Sequence, residues 1–233
     1  MSPSNLISGI IYKIFNSGSA DKIFYVIDSH GKKNTFLAKG VKKESSKKSH
    51  AIDLGNLVEA KVILGYSVPI VTDIKLKNEF TQWKKDYKRL IFLQFFCEVI
   101  DKFCFEENHD EKLFEIFQEI LEANIERLVY SACIFTLKIL SVTGHLPDLG
   151  KFILTSNPIP KGNFYHSTES IGYIEDTSNL PYLNKASDRI YRTQKYIIGK
   201  KFSDAMKVKL QEDEEKEMFR MHLNWIELAL NQR

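Results

Sequence analysis

The 233-residue chain predicts an α+β protein in two domains, a small β-barrel at the amino end followed by an all-helical remainder. Three observations carry this. Short runs rich in Val, Ile, Phe and Tyr, separated by turn residues, fill the first eighty positions. At Asn78 the apolar spacing changes to that of a helix, and it stays helical through several long stretches. Charge divides at the same place: residues 1–80 hold 12 Lys and 7 acidic residues, net +5, whereas residues 81–233 are net −2.

Five strands are expected, over Ile7–Phe15, Lys22–Asp28, Asn34–Lys39, Asn56–Tyr66 and Ile70–Leu76. Asn16-Ser17-Gly18, His30-Gly31 and Val68-Pro69 supply turns between them. In the fourth, Val58, Ala60, Val62 and Leu64 make one wholly apolar face, while Glu59 and Lys61 share the other with Leu57 and Ile63. That pattern suits a closed barrel with a wet outside. Five strands with a longer connection between the third and fourth are compatible with an OB-fold, a barrel that binds oligonucleotides on one face and its loops. An SH3-like barrel matches the strand count equally.

The spacing then predicts a helix over Phe80–Phe103, which no Gly or Pro interrupts. Asp110 is placed to N-cap a second helix with the stripe Leu113, Phe114, Phe117, Ile120 and Leu121. A third runs from about Ile125 to Val142 and is stopped by Gly144. Residues 147–181 hold four of the six prolines and little helical pattern. Pro181–Ile198 and Ser203–Asn231 read as closing helices, with the Glu-rich 212–217 on one solvated side of the last. The expected domains are therefore 1–78 and 79–233.

Chemistry concentrates in the connection after the third strand. Lys39, Lys42, Lys43, Lys47 and Lys48 face one acid, Glu44, and the interleaved Gly and Ser residues favour a mobile backbone able to follow a polyanion. A merely solvated loop carries such a run too. Lys32 and Lys33, in the preceding turn, are a second rank of candidate DNA-binding residues, and Tyr12, Phe24, Tyr25 and Phe36 are the aromatic candidates for base stacking.

Other chemistries find little support. Cys97, Cys104 and Cys133 are odd in number and set in apolar sequence, which argues against a secreted disulfide framework and for a cytoplasmic protein. No apolar run approaches the ~18 residues of a membrane span. The six histidines are scattered without metal-ligand spacing and read as surface or turn residues. No P-loop, dinucleotide fingerprint or nucleophile elbow occurs, so no catalytic residue, metal or cofactor is expected.

The order of these parts, with Gly9-Ile10-Ile11, Phe36-Leu37-Ala38-Lys39-Gly40-Val41-Lys42-Lys43 followed by Lys48-Ser49, and Gly144-His145-Leu146-Pro147-Asp148-Leu149, resembles the bacterial RecO family. The resemblance implies an OB-fold and a helical domain with a small zinc module near residues 147–181. Many members carry two CxxC pairs there, a spacing that suits tetrahedral zinc. The matching positions here are Phe152, Thr155, Glu175 and Ser178, so zinc is not expected, and Phe152, Ile153, Phe164, Tyr165, Tyr173 and Ile174 would have to hold the segment by packing. The resemblance further implies a non-enzymatic mediator of DNA repair and recombination that binds single- and double-stranded DNA and anneals complementary strands. Its implied partners are RecR, the acidic tail of the single-stranded-DNA-binding protein and, indirectly, RecA, which would make the cytoplasmic protein nucleoid-associated. For the tail, the available charges are Lys84, Lys85, Lys88 and Arg89, or Arg189, Arg192 and Lys195. An OB-fold RNA-binding module or a helical scaffold would share parts of this pattern.

Overall fold

The computed structural model describes residues 5–43, 46, 48–63, 68–104, 110–160, 164–175 and 183–231. These fall into two compact units, Met1–Asn124 and Ile125–Arg233. The first therefore holds two helices besides the strands.

Five strands form a closed barrel in the order β1-β2-β3-β5-β4: β1 (Asn5–Ser17), β2 (Asp21–Asp28), β3 (Lys33–Ala38), β4 (Leu57–Ile63) and β5 (Ile70–Asn78). All neighbours are antiparallel except β3 and β5, which run parallel. This closure is that of an OB-fold and settles the choice against an SH3-like barrel. Alternation sets the inside: Phe24 and Val26 of β2, Phe36 and Ala38 of β3, Val58, Ala60 and Val62 of β4, and Val71 and Ile74 of β5 form one buried cluster. Each fully buried Val, Ile or Phe contributes about 1.5–3 kcal/mol, so this cluster dominates the stability of the barrel.

The connection between β3 and β4 adds Val41, Ala51 and Ile52 to that core. It is thus tied down at both ends, which corrects the expectation of a uniformly mobile lysine loop. Burying three apolar side chains outweighs the conformational freedom that Gly and Ser offer.

The chain enters the helices through a 3-10 turn at Thr81–Trp83. Asp86 then accepts from the Arg89 amide and caps α1 (Tyr87–Phe103), so the single long helix expected from Phe80 is two elements. Asp110 caps α2 (Glu111–Glu122) as its position predicts. The helix α1 packs on β1. Lys13 of β1 bonds Asp101 of α1 at 2.5 Å, and Gly31 of the β2–β3 turn lies at φ +76° with a Cβ position 2.0 Å from the Asp110 carbonyl oxygen. Only glycine fits there.

The second unit is built on α3 (Leu128–Val142), buried along nearly its whole length and packed against α4 (Asp188–Ile198) and α6 (Glu212–Asn231). Two expected boundaries move. A short strand, β7 (Leu183–Lys185), pairs with β6 (Tyr165–Ser167) ahead of α4, and the last helical stretch divides into α5 (Phe202–Ala205) and α6. Arg127 explains the second division. Its guanidinium donates to the Val208 carbonyl at 2.6 Å and pairs with the buried Glu215, holding residues 206–211 as a connection. Glu215 is consequently not on a solvated face, unlike Glu212 and Asp213 beside it.

Between α3 and α4 the chain folds back on itself without thiolates. Ile153 donates to the Tyr173 carbonyl, Tyr165 and Ile174 exchange backbone bonds, and the Thr155 hydroxyl donates to Glu175 at 2.9 Å. Phe152, Phe164, Tyr173 and Ile174 are buried, with Phe164, Tyr173 and Tyr191 meeting ring to ring. Ser178 lies outside the described residues. Packing and hydrogen bonds thus hold Phe152, Thr155 and Glu175, three of the four positions that the resemblance matches to the zinc module.

Candidate nucleic-acid interface

The lysine-bearing connection leaves β3 through Lys39 and turns at Gly40, whose φ of +69° is a conformation that favours glycine. The Gly40 amide donates to Asp21 Oδ1 at 2.7 Å, and the Lys42 amide donates to the Ala20 carbonyl at 3.0 Å. The two bonds lace this connection to the β1–β2 turn and the first residue of β2. With Val41 anchored in the core, Lys39, Lys42 and Lys43 are held on the outside and exposed. Lys42 Nζ reaches the Gly18 carbonyl at 3.1 Å, and Lys48 Nζ reaches the Val71 carbonyl at 3.1 Å, neutral oxygens that cancel neither charge. Among the described residues, none of these four lysines lies within ion-pair distance of a carboxylate. Lys47 lies outside the described residues.

The second rank divides. Lys32 is exposed. Lys33 instead lies 3.7 Å from Asp101 and 5.2 Å from the Tyr25 ring centre, so its ammonium shares the Asp101 carboxylate with Lys13. Its charge is already partly compensated.

The aromatic candidates divide more sharply. Phe24 and Phe36 meet inside the barrel at 5.6 Å, and Tyr12 is 2% exposed. Tyr25 remains partly open on the outer surface, and it is joined there by a residue that sequence alternation hides, Phe15, which is 46% exposed. The rings of Phe15 and Tyr25 meet edge to face at 5.9 Å, and Lys13 Nζ stands 5.2 Å from the Phe15 ring centre. A β-bulge, which no residue pattern in the sequence marks, accounts for Phe15: pairing runs Ile11 to Val26 and then Lys13 to Tyr25, leaving Tyr12 as the extra residue. Every later side chain of β1 therefore faces opposite to simple alternation.

Elsewhere the structure offers no reactive constellation among the described residues. Burial pushes the Cys104 thiol up to about 12 and holds Cys97 and Cys133 well above the usual thiol range, so these cysteines are poor nucleophiles. His222, read from sequence as a surface or turn residue, is fully buried. It stacks on Trp225 at 5.4 Å and contacts Gln194 at 2.8 Å and Thr136 at 3.1 Å, a core position that a spacing search has no means of detecting. An open hollow lined by His30, Asp110, Glu111, Lys112 and Glu115 is mainly acidic and unsuited to phosphate. No group of three or more metal-ligating side chains is gathered among the described residues. No helix there is long and apolar enough to cross a membrane.

Residues 84–233 match the family model described as recombination protein O C terminal. A Clostridium perfringens protein named DNA repair protein RecO is 25% identical over 222 residues, covering 91% of this chain and 87% of that protein. Relatives of the same name from Clostridium novyi and Acetivibrio thermocellus are 23% and 21% identical, covering 91% and 88% of this chain and 84% and 83% of those proteins. Among solved structures, the Entamoeba histolytica asparaginyl-tRNA synthetase superposes with a TM-score of 0.30 and 10% identity, over 83% of this chain and 42% of that one. Since the family model covers well over half of the residues, from Lys84 through Arg233, the chain belongs to the RecO family.

Proposed function

We propose that this chain is a DNA repair and homologous recombination mediator that grips single- and double-stranded DNA through the lysines of its barrel and anneals complementary strands. It acts without catalysing a covalent step. One observation carries the reading: Lys39, Lys42 and Lys43 project from a connection pinned to an OB-fold core, with Lys48 half-buried farther along it, and none of the four has a carboxylate partner among the described residues. Ammonium groups so held release counterions from a phosphate backbone and read no bases, which suits a protein that must act at any sequence. The names of the relatives, DNA repair protein RecO, agree with this role.

On this reading RecR and the acidic tail of the single-stranded-DNA-binding protein are partners, and RecA is loaded as a consequence. Exposed Tyr87, Leu90 and Ile91 on α1 stand beside exposed Lys85 and Lys88, which favours α1 as the place for an acidic, partly apolar tail. Arg189 and Arg192 suit it less, being paired with Glu214 and Asp188.

Strand annealing tests the proposal. Complementary strands coated with a tail-bearing single-stranded-DNA-binding protein should anneal faster in the presence of this chain, and the rate should drop when Lys39, Lys42 and Lys43 are replaced by Ala. No acceleration with coated or bare strands would refute the mediator role. A preference for matched RNA over DNA would favour an RNA-binding module instead.

A further inference from the structure

We infer that Phe15, supported by the edge of Tyr25, is a stacking platform for a base of single-stranded nucleic acid whose backbone follows the neighbouring lysines. The inference rests on the DNA-binding reading above and extends it to what distinguishes a strand from a duplex.

The bulge at Tyr12 turns Phe15 out of the barrel. Pairing then sets Phe15 opposite Ile23, and Ile23 opposite Leu37, so one outward row crosses three strands. Both Ile23 and Leu37 are only partly buried, and Phe15 at 46% exposure is the most open of the three. The next row holds Lys13, Tyr25 and Thr35. The Phe15 ring is nearly half open to solvent and packs on Tyr25 edge to face. It does not join the buried core cluster, to which its neighbour Ile14 contributes from the opposite face.

Charge names the occupant. Lys39 lies two residues beyond Leu37, and Lys42 is bonded to the turn that follows Phe15, through Gly18 and Ala20. A flat apolar ring beside ammonium groups fits a group that is planar and apolar on its faces yet carries negative charge on its backbone. An unpaired nucleotide has that form. In a duplex the base faces are covered by their neighbours, so the ring has nothing to stack on, whereas the lysines still find phosphate.

The test compares wild type with F15A, F15L and F15W on a labelled oligothymidylate strand and on a duplex of the same length, at several salt concentrations. F15A should weaken strand binding about tenfold. It should leave duplex binding within about twofold, and the salt slope on either should stay that of wild type, because no phosphate contact is lost. F15L should behave like F15A, and F15W should keep strand affinity and show quenched indole emission on binding. Equal losses on strand and duplex, full affinity in F15A, or a changed association state with unchanged strand affinity would each overturn the platform. Absence of salt-sensitive binding by wild type would instead overturn the DNA-binding reading itself, and the platform with it.

Discussion

At the scale of single residues, the structure makes two polar groups answer for the stability of the second unit. His222 is held neutral, its pKa lowered to about 3 by burial, while its bond to the Cys133 carbonyl opposes that only in part. Gln194 contacts Nε2 and the Cys133 carbonyl contacts Nδ1, so a second ring proton would set N–H against N–H at Gln194. The unfolded chain takes up that proton near pH 6.5 and the folded chain does not. The contribution of a neutral His222 is therefore complete above pH 6.5 and is lost as pH falls toward about 3, at about 1.4 kcal/mol per pH unit at most. Urea unfolding at stepped pH should show this acid limb, and H222L should flatten it. Arg127 is the second group: its removal strands Glu215, which is 8% exposed. R127A should cost about 3 kcal/mol in the same assay. A loss under about 1 kcal/mol would show that water reaches Glu215 freely. Neither role is visible in the sequence, where His222 sits among charged and apolar neighbours alike and Glu215 sits in a run of acids.

Elements were more legible than residues wherever one face is buried and the other wet. The strand β4 reads directly because Val58, Ala60 and Val62 alternate with Glu59 and Lys61, and α2 reads directly because Asp110 precedes a clean apolar stripe. The breaks were hidden. Nothing in residues 206–211 is a Gly or Pro, and what stops the helix is a guanidinium from a distant segment. Likewise Leu183–Lys185 is too short to show a period, and becomes a strand only by pairing with Tyr165–Ser167. The segment between α3 and α4 makes its own prediction: because a Thr155–Glu175 hydrogen bond and buried aromatic rings hold it, purified protein should contain no stoichiometric zinc, and a chelator should leave the melting temperature unchanged. One zinc per chain would show that other ligands gather there. The open face of α1 makes another. If an acidic tail docks there, reversing charge with K85E and K88E should abolish binding of an acidic peptide while leaving DNA affinity nearly intact.

At the scale of the whole molecule, one chain of the RecO family carries a basic barrel and a helical remainder. The charge division was legible at once, because net charge is a sum over residues and needs no geometry. What the sequence lacked was direction: which lysines point outward, which one is claimed by Asp101, and which ring a bulge turns to the surface. Closing β3 against β5 fixes the first, since it decides where the lysine-bearing connection lies on the barrel, while the Asp101 carboxylate of α1 and the bulge at Tyr12 fix the other two. The most direct measurement is the salt dependence of binding to a labelled single strand, for wild type and for the K39A/K42A/K43A variant. If these lysines hold phosphates, the logarithm of the binding constant falls linearly with the logarithm of salt, and the variant binds more weakly with a slope shallower by about 2. Identical affinities and slopes for the two proteins would contradict the claim that this connection grips nucleic acid.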